Sequence, residues 1–534
     1  MPTLPLPGSM RRRTGRRSLL LLASSSLAAL MIGSGAPPAL AGTCAIIPAV
    51  NQSSVSNSGS INCIDFSGIT VTGDVTNTGT GVITPLGGGI PSRTGITIKN
   101  SSIGGTISNA GTITAGVLGL GILLQGNTIS GDVVNSGSIS AGDIGIVVGV
   151  TNFVGGISNS GTISAPRNGI YVNQVLGVAS GIANSGTITA PQGSGIEVNQ
   201  ATNFAGGISN SGTISGLLGI VVASGSTFAG GISNGGTITA GMTGIYVGFG
   251  SSAFSGGITN SGMISTASSV GIKIDNISTF AGGITNSGTI TANAGGISVS
   301  SNVGTFAGGI ANSGTIAGGP TGIFVGSSTF SGGITNIGTI SAGTAGINVN
   351  NVGAFADGIS NGGTIWSGIN GIDVNNVATF ASGITNSGMI SAQRSGIFVI
   401  SNSVFSGGIN NTGTIAAGNT GIFVGSNSTF SGGLTNSSMI SAVSAGININ
   451  SVGAFAGGIA NTGTIAAGFT GIVVSSNSTF SGGITNSGMI SAAGAGININ
   501  NVGAFADGIT NSGTISSSGG VGIGINNEIG RAHV

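Results

Sequence analysis

Large apolar residues in this chain fall at alternate positions in short runs, and the runs recur. From Phe153 onward one phrase repeats, F-[AS]-[GSD]-G-[IL]-x-N-x-[GS]-[TM]-I, followed by a small or polar stretch and then G-I-x-V or a close variant. Its Phe returns at 204, 228, 254, 280, 306, 330, 355, 380, 405, 430, 455, 480 and 505, with Val178 in place of a missing one. The spacing is 24 to 26 residues and settles at 25 from Phe330. Within one copy Phe153, Ile157, Asn159, Ile163 and Ala165 lie even numbers of residues apart, so an extended chain turns them to one face. After a glycine-containing corner, Gly169-Ile170-Tyr171-Val172 restores two inward apolar residues. Two or three strands per copy are expected.

A helix does not fit this pattern, because the apolar period is 2 rather than 3.6 and β-branched residues and Gly crowd the remaining positions. Collagen does not fit either: Gly is not at every third position and Pro numbers only 11. The expected fold is all-β, a right-handed parallel β-helix of about 19 coils in which each strand pairs with the same strand one copy on. The expected organisation is an export signal over 1–41, irregular coils with a cap over 42–152, regular repeats over 153–527 and a non-native tail over 528–534.

The Asn of the phrase carries the register back through Asn57, Asn77, Asn109 and Asn135. It continues through Asn159, Asn184, Asn210, Asn234, Asn260, Asn286, Asn312, Asn336, Asn361, Asn386, Asn411, Asn436, Asn461, Asn486 and Asn511. Each sits in an N-x-G or N-x-S corner, where Asn tolerates left-handed geometry. Stacked one above another, their amides are placed to hydrogen-bond along the coil axis, a structural column rather than a ligand site.

Composition sharpens the picture. Gly supplies 108 residues and charged residues only 4%, while 39% are hydrophobic, richer in Ile and Val than disorder allows. The net charge of +1 hides an asymmetry, since five of the eleven basic residues are Arg11, Arg12, Arg13, Arg16 and Arg17. Between Gly42 and Asn527 five basic residues face nine acidic ones, which excludes a nucleic-acid footprint. The Arg-rich start, the apolar run Leu19 to Ile32 and Ala39-Leu40-Ala41 read as an export signal, by the general or the twin-arginine route. The two cysteines, Cys44 and Cys63, either stay as buried thiols or pair; in an exported chain the expectation is a disulfide.

Catalytic chemistry finds little purchase. The sole histidine, His533, lies in the tail, so neither a Ser-His-Asp nor a Cys-His arrangement has a base. No metal site and no cofactor are expected. The acids are scattered, and the nearest suggestive pair is Asp357 with Asp373, within one copy. Thr-Ile-Thr at 112, 187, 237 and 289 hints at an ice-binding face, but Met263, Met389, Met439, Met489 and Trp366 interrupt it. The methionines and Trp366 are contact candidates only by residue type.

The G-G-I-x-N-S-G-T-I phrase, read with G-I-x-V and the export signal, resembles the passenger region of bacterial autotransporters over nearly all of the mature chain. That resemblance implies display at the surface of a Gram-negative cell or release from it, in an adhesin-like or virulence-associated role. Its implied partners are the export machinery, an outer-membrane transporter barrel and host or cell-surface ligands. The repeats run to Asn526, and the barrel such proteins carry is either lost or encoded beyond Val534. The last seven residues, Glu528 to Val534, break the composition and resemble a translated sequencing adapter. The expectation is a binding or structural protein rather than an enzyme, with a carbohydrate-active β-helix or a self-assembling matrix protein as alternatives.

Overall fold

In the computed structural model, residues 45–46, 51–85, 93–224 and 227–526 are described. Residues 1–41, read above as an export signal, and the tail 528–534 lie outside the described residues. The described chain is all-β, without α-helix, and its strands pair in parallel with their counterparts one repeat on. A regular turn contains Ile384–Asn386, Met389–Ala392, Ser395–Ile400 and Val404–Phe405. These pair in register with Ile409, Thr414, Thr420 and Thr429 onward, 25 residues later. Four short strands per turn appear where two or three were expected, because the glycine corners cut the extended chain more often than parity alone reveals.

The Ile-x-Asn strands assemble into one sheet of 19, and the other three kinds into a second of 49. Nineteen strands from Asn57 to Asn511 make about eighteen full turns of a parallel β-solenoid. Backbone bonds run from turn to turn, as Ile384 N–H to the Gly408 carbonyl at 2.9 Å. A turn therefore cannot satisfy its own backbone and is stable only against its neighbours. The early turns are the irregular ones: consecutive rungs at Asn57, Asn77 and Asn109 are 20 and 32 residues apart.

Parity places the core as expected. In Ile384–Asn386 the two ends are buried and the middle is not, and Ile390, Ile397, Val399 and Phe405 are fully buried. The Phe residues form a single stack from Phe204 to Phe505 with centroids 4.5 to 5.3 Å apart and planes within 16°. That separation is the strand spacing of a parallel sheet, so the rings inherit it from the backbone. The Gly of G-I-x-V recurs because of close approach: at Gly396 a methyl would run into Ile415 Cγ2 and the Gly421 carbonyl of the next turn.

The left-handed corner is not at the asparagine column. Those Asn close ordinary strands, while positive φ recurs at Asn351, Asn376, Ser401, Ser426, Ser451, Ser476 and Asn501, just past G-I-x-V. The ladder requires each Asn side chain to point inward from a strand, and the reversal is made at this other corner instead.

Candidate binding face

Each column asparagine donates from Nδ2 to Oδ1 of the next one, at 2.7 to 2.8 Å, without a break from Asn57 to Asn511. The second Nδ2 hydrogen turns back to a carbonyl two residues on, as Asn361 to Gly363 at 3.2 Å. Through Asn486 the members are at most 7% exposed, so the ladder is an interior element with every amide committed. It offers nothing to a ligand.

At the N-terminal end Cys63 is buried and disulfide-bonded. It precedes Ile64, whose strand partner is Ala45; Cys44, the one other cysteine in the sequence, lies outside the described residues.

Outside the core, nearly every position is Gly, Ser, Thr, Ala or Asn. Larger or charged residues collect at the Thr/Met place of the phrase, at the corner that holds Ile369, Arg394 and Phe469 in different copies, and at the x residues of G-I-x-V. Parallel register stacks the x residues in one file: Leu123, Val147, Tyr171, Glu197, Val221, Tyr246, Lys273, Ser298, Phe324, Asn348, Asp373, Phe398, Phe423, Asn448, Val473 and Asn498. Both tyrosines of the chain are here, with Glu197, Lys273 and Asp373. The side chains point away from the core, yet none is fully exposed.

Two stretches of the file differ. In the first, Leu120, Leu123, Ile144, Val147 and Tyr171 form one outer apolar cluster, and Val221, Ala223 and Tyr246 with Leu218 and Phe249 form another. Polar groups beside them are paired: Arg167 with Asp143 at 2.6 Å, and Glu197 with the Ser194 hydroxyl at 2.9 Å and the Asn168 amide at 3.0 Å. Lys273 meets Asp275 at 2.9 Å and stands 5.6 Å from the Tyr246 ring centre. Burial raises the Glu197 carboxyl above its ordinary value against the pull of Ser194, Asn168 and Arg167. Burial, with Asp275 nearby, pushes the Tyr246 hydroxyl up to about 12. For Asp275 burial acts upward too, but Ser300 and Lys273 outweigh it and hold the carboxyl low.

The second stretch, Phe324 to Asn448, is half-buried. Phe398 and Phe423 stack at 5.0 Å and 17°, with the Arg394 guanidinium 5.5 Å from the Phe398 centre. Asp373 accepts the Asn370 amide at 2.8 Å on Oδ2, and burial lifts its carboxyl, opposed by that bond and by Arg394. Its Oδ1 has no donor, and neither has the side-chain oxygen of Asn348, Asn370 or Asn448.

Two surface grooves flank the solenoid. One, about 640 Å³, follows the glycine corner outside the Ile-x-Asn sheet and contains Asp357, Gly358 and Thr385. The other, about 760 Å³, runs beside Trp366, which is 47% exposed, past Ser391, Gln393 and Val443. Asp357 and Asp373 are thus not brought together: Asp373 keeps company with Asn370, Asn348 and Arg394, none of which lines the Asp357 groove. Met389 sits between Thr364 and Thr414, so the methionines alternate with threonines instead of forming a stripe. Among the described residues no group of three His, Cys, Asp or Glu is placed to hold a metal. No known protein family, curated protein or solved structure matches the chain.

The variable file is the feature the repeat pattern alone did not single out. Its signal was in the sequence, as an outward position whose chemistry changes from copy to copy.

Proposed function

We propose that this chain is an exported β-solenoid of the autotransporter passenger kind, carried out of a Gram-negative cell by the export machinery and an outer-membrane barrel, and binding through the G-I-x-V file. The observation that carries the reading is the file of aromatic, amide and charged side chains that the regular repeat holds in register along the solenoid. Extended recognition along stacked repeats is what solenoids offer through their lateral surfaces. An acid–base hydrolase would need a second carboxylate beside Asp373, and the obvious partner, Asp357, faces elsewhere.

Protease treatment and antibody labelling of intact cells expressing the full gene test the display. Exposure at the surface or release into the medium is expected. Co-fractionation of the whole chain with a cytosolic marker, protected from protease, refutes it.

A further inference from the structure

Past residue 41 the chain has five methionines, Met242, Met263, Met389, Met439 and Met489, and none belongs to the buried core, which is built mainly of Ile, Val, Phe and Ala. Four of them share one place, the first outward position of the Thr-Ile strand. Met263 is in register with Thr237 and Thr289, Met389 with Thr364 and Thr414, Met439 with Thr414 and Thr464, and Met489 with Thr464 and Thr514. Met263, Met439 and Met489 are 43 to 44% exposed, and Met389 is half-buried. Their backbones are committed to the fold: the Met389 N–H reaches the Gly363 carbonyl at 2.8 Å, and the Met389 carbonyl accepts from Asn361 Nδ2 at 3.3 Å. The thioethers face outward.

From Thr162 to Thr514 this place holds Thr or Met in every copy and never Ile, Val or Leu. A place that served apolar contact would take the β-branched residues that strands favour. What Met brings instead is a soft, polarisable sulfur. Thioethers can ligate soft metal ions, but these methionines are at closest two turns apart, about 9.6 Å by strand spacing, too far to share an ion. Oxidation is the other chemistry a thioether carries. Thr in the adjacent copies shows that a polar group is accommodated here, and a Thr hydroxyl one turn away, about 4.8 Å by strand spacing, is placed to donate to a sulfoxide oxygen.

We propose that Met263, Met389, Met439 and Met489 form a file of oxidative modification sites, which peroxides convert to sulfoxides while the solenoid stays folded. The sulfur lone pair attacks one peroxide oxygen, the O–O bond breaks, and water leaves from hydrogen peroxide or an alcohol from an organic hydroperoxide. Sulfur loses two electrons and the peroxide gains the same two. Each conversion replaces a part-exposed apolar group by a polar one, so this outward place becomes polar without interruption from Thr364 to Thr514. The described core holds no Met, so the same oxidant leaves its packing untouched. The inference is independent of the export and binding roles proposed above.

The test is graded hydrogen peroxide on the purified full chain, with peptide mass mapping, circular dichroism, thermal unfolding and retention on a hydrophobic column read from the same samples. All four positions should gain one oxygen before any β signal is lost. The thermal midpoint of the oxidised chain should stay within about 4 °C of the parent, and its retention should shorten. Met263→Leu, Met389→Leu, Met439→Leu and Met489→Leu combined should abolish the oxygen gain at these positions and most of the change in retention, Met242 and the leader carrying the rest. The same four places changed to Thr, which the neighbouring copies already carry, give a second variant that should likewise gain no oxygen there. Oxygen gained only after the chain unfolds, a larger fall in the midpoint, or unchanged retention of the fully oxidised chain would each overturn the proposal.

Discussion

Replacing Asn386 by aspartate changes one atom of one rung and tests whether the ladder is as tightly committed as its geometry implies. Asn386 accepts from the Asn361 amide at 2.8 Å and donates to Asn411 Oδ1 at 2.8 Å and to the Gly388 and Thr414 carbonyls at 3.4 Å. In Asn386→Asp the donor becomes an oxygen facing three acceptors, inside a site with no exposure. Full burial of a carboxylate raises its pKa by about 3–5 units, which at 1.36 kcal/mol each makes the charged form roughly 4–7 kcal/mol less stable. The protonated form restores one donor toward Asn411, leaving a deficit of only about 1–2 kcal/mol. The folded pKa thus stands above the unfolded value near ~3.9. The variant keeps its stability below that value and loses it as pH rises through the folded pKa. Urea denaturation followed by circular dichroism at pH 4 and pH 7, taken as the difference from the parent at each pH, reads the effect. A midpoint difference that is equal at both pH values, or larger at pH 4, refutes the ladder as described.

Three further outcomes follow from the same structure. Phe405→Ala empties one place in the ring stack between Phe380 at 4.5 Å and Phe430 at 4.7 Å, and should cost about 3–5 kcal/mol in denaturant titration. Glu197→Gln keeps acceptors for Ser194 and Asn168 but removes the burial penalty. Because the folded Glu197 carboxyl is raised, the parent loses stability as pH rises through that value, so the variant should gain in thermal stability at pH 7 and match the parent near pH 4. Cys63→Ser removes the disulfide at the first turns and should forfeit about 3 kcal/mol there by loop entropy; hydrogen exchange should quicken at Val55–Asn57 and Val75–Asn77 and stay unchanged past Phe330.

The solenoid was legible because its information is periodic. Alternation of Phe, Ile and Asn set the inward face, and a repeat of 25 residues placed each residue over its counterpart, as Ile384 over Ile409. The early turns were harder, because the step from Asn77 to Asn109 spans 32 residues and breaks the period. The left-handed corner was assigned to Asn159 and its equivalents, since Asn favours it by type, but an amide drawn into a ladder needs strand geometry. Ser401 and Asn376 take that corner instead. The outward G-I-x-V file escaped for a related reason. Parity marks Tyr171 and Asp373 as outward, and outward ordinarily means solvated; that Leu120, Leu218 or Phe249 packs beside the file is a matter of corners meeting in space, which spacing along the chain does not encode.

Everything above depends on copies lying directly over one another with like residues in register. Cysteine pairs test this most directly. Thr414 and Met439 are register partners in adjacent turns, so Thr414→Cys with Met439→Cys places two thiols at the strand spacing of about 4.8 Å, within disulfide reach. Mild oxidation of that double variant should close the bond in the folded chain, while Thr414→Cys with Thr464→Cys, two turns apart, should remain reduced. Closure of the distant pair with the adjacent pair left open would contradict the stack.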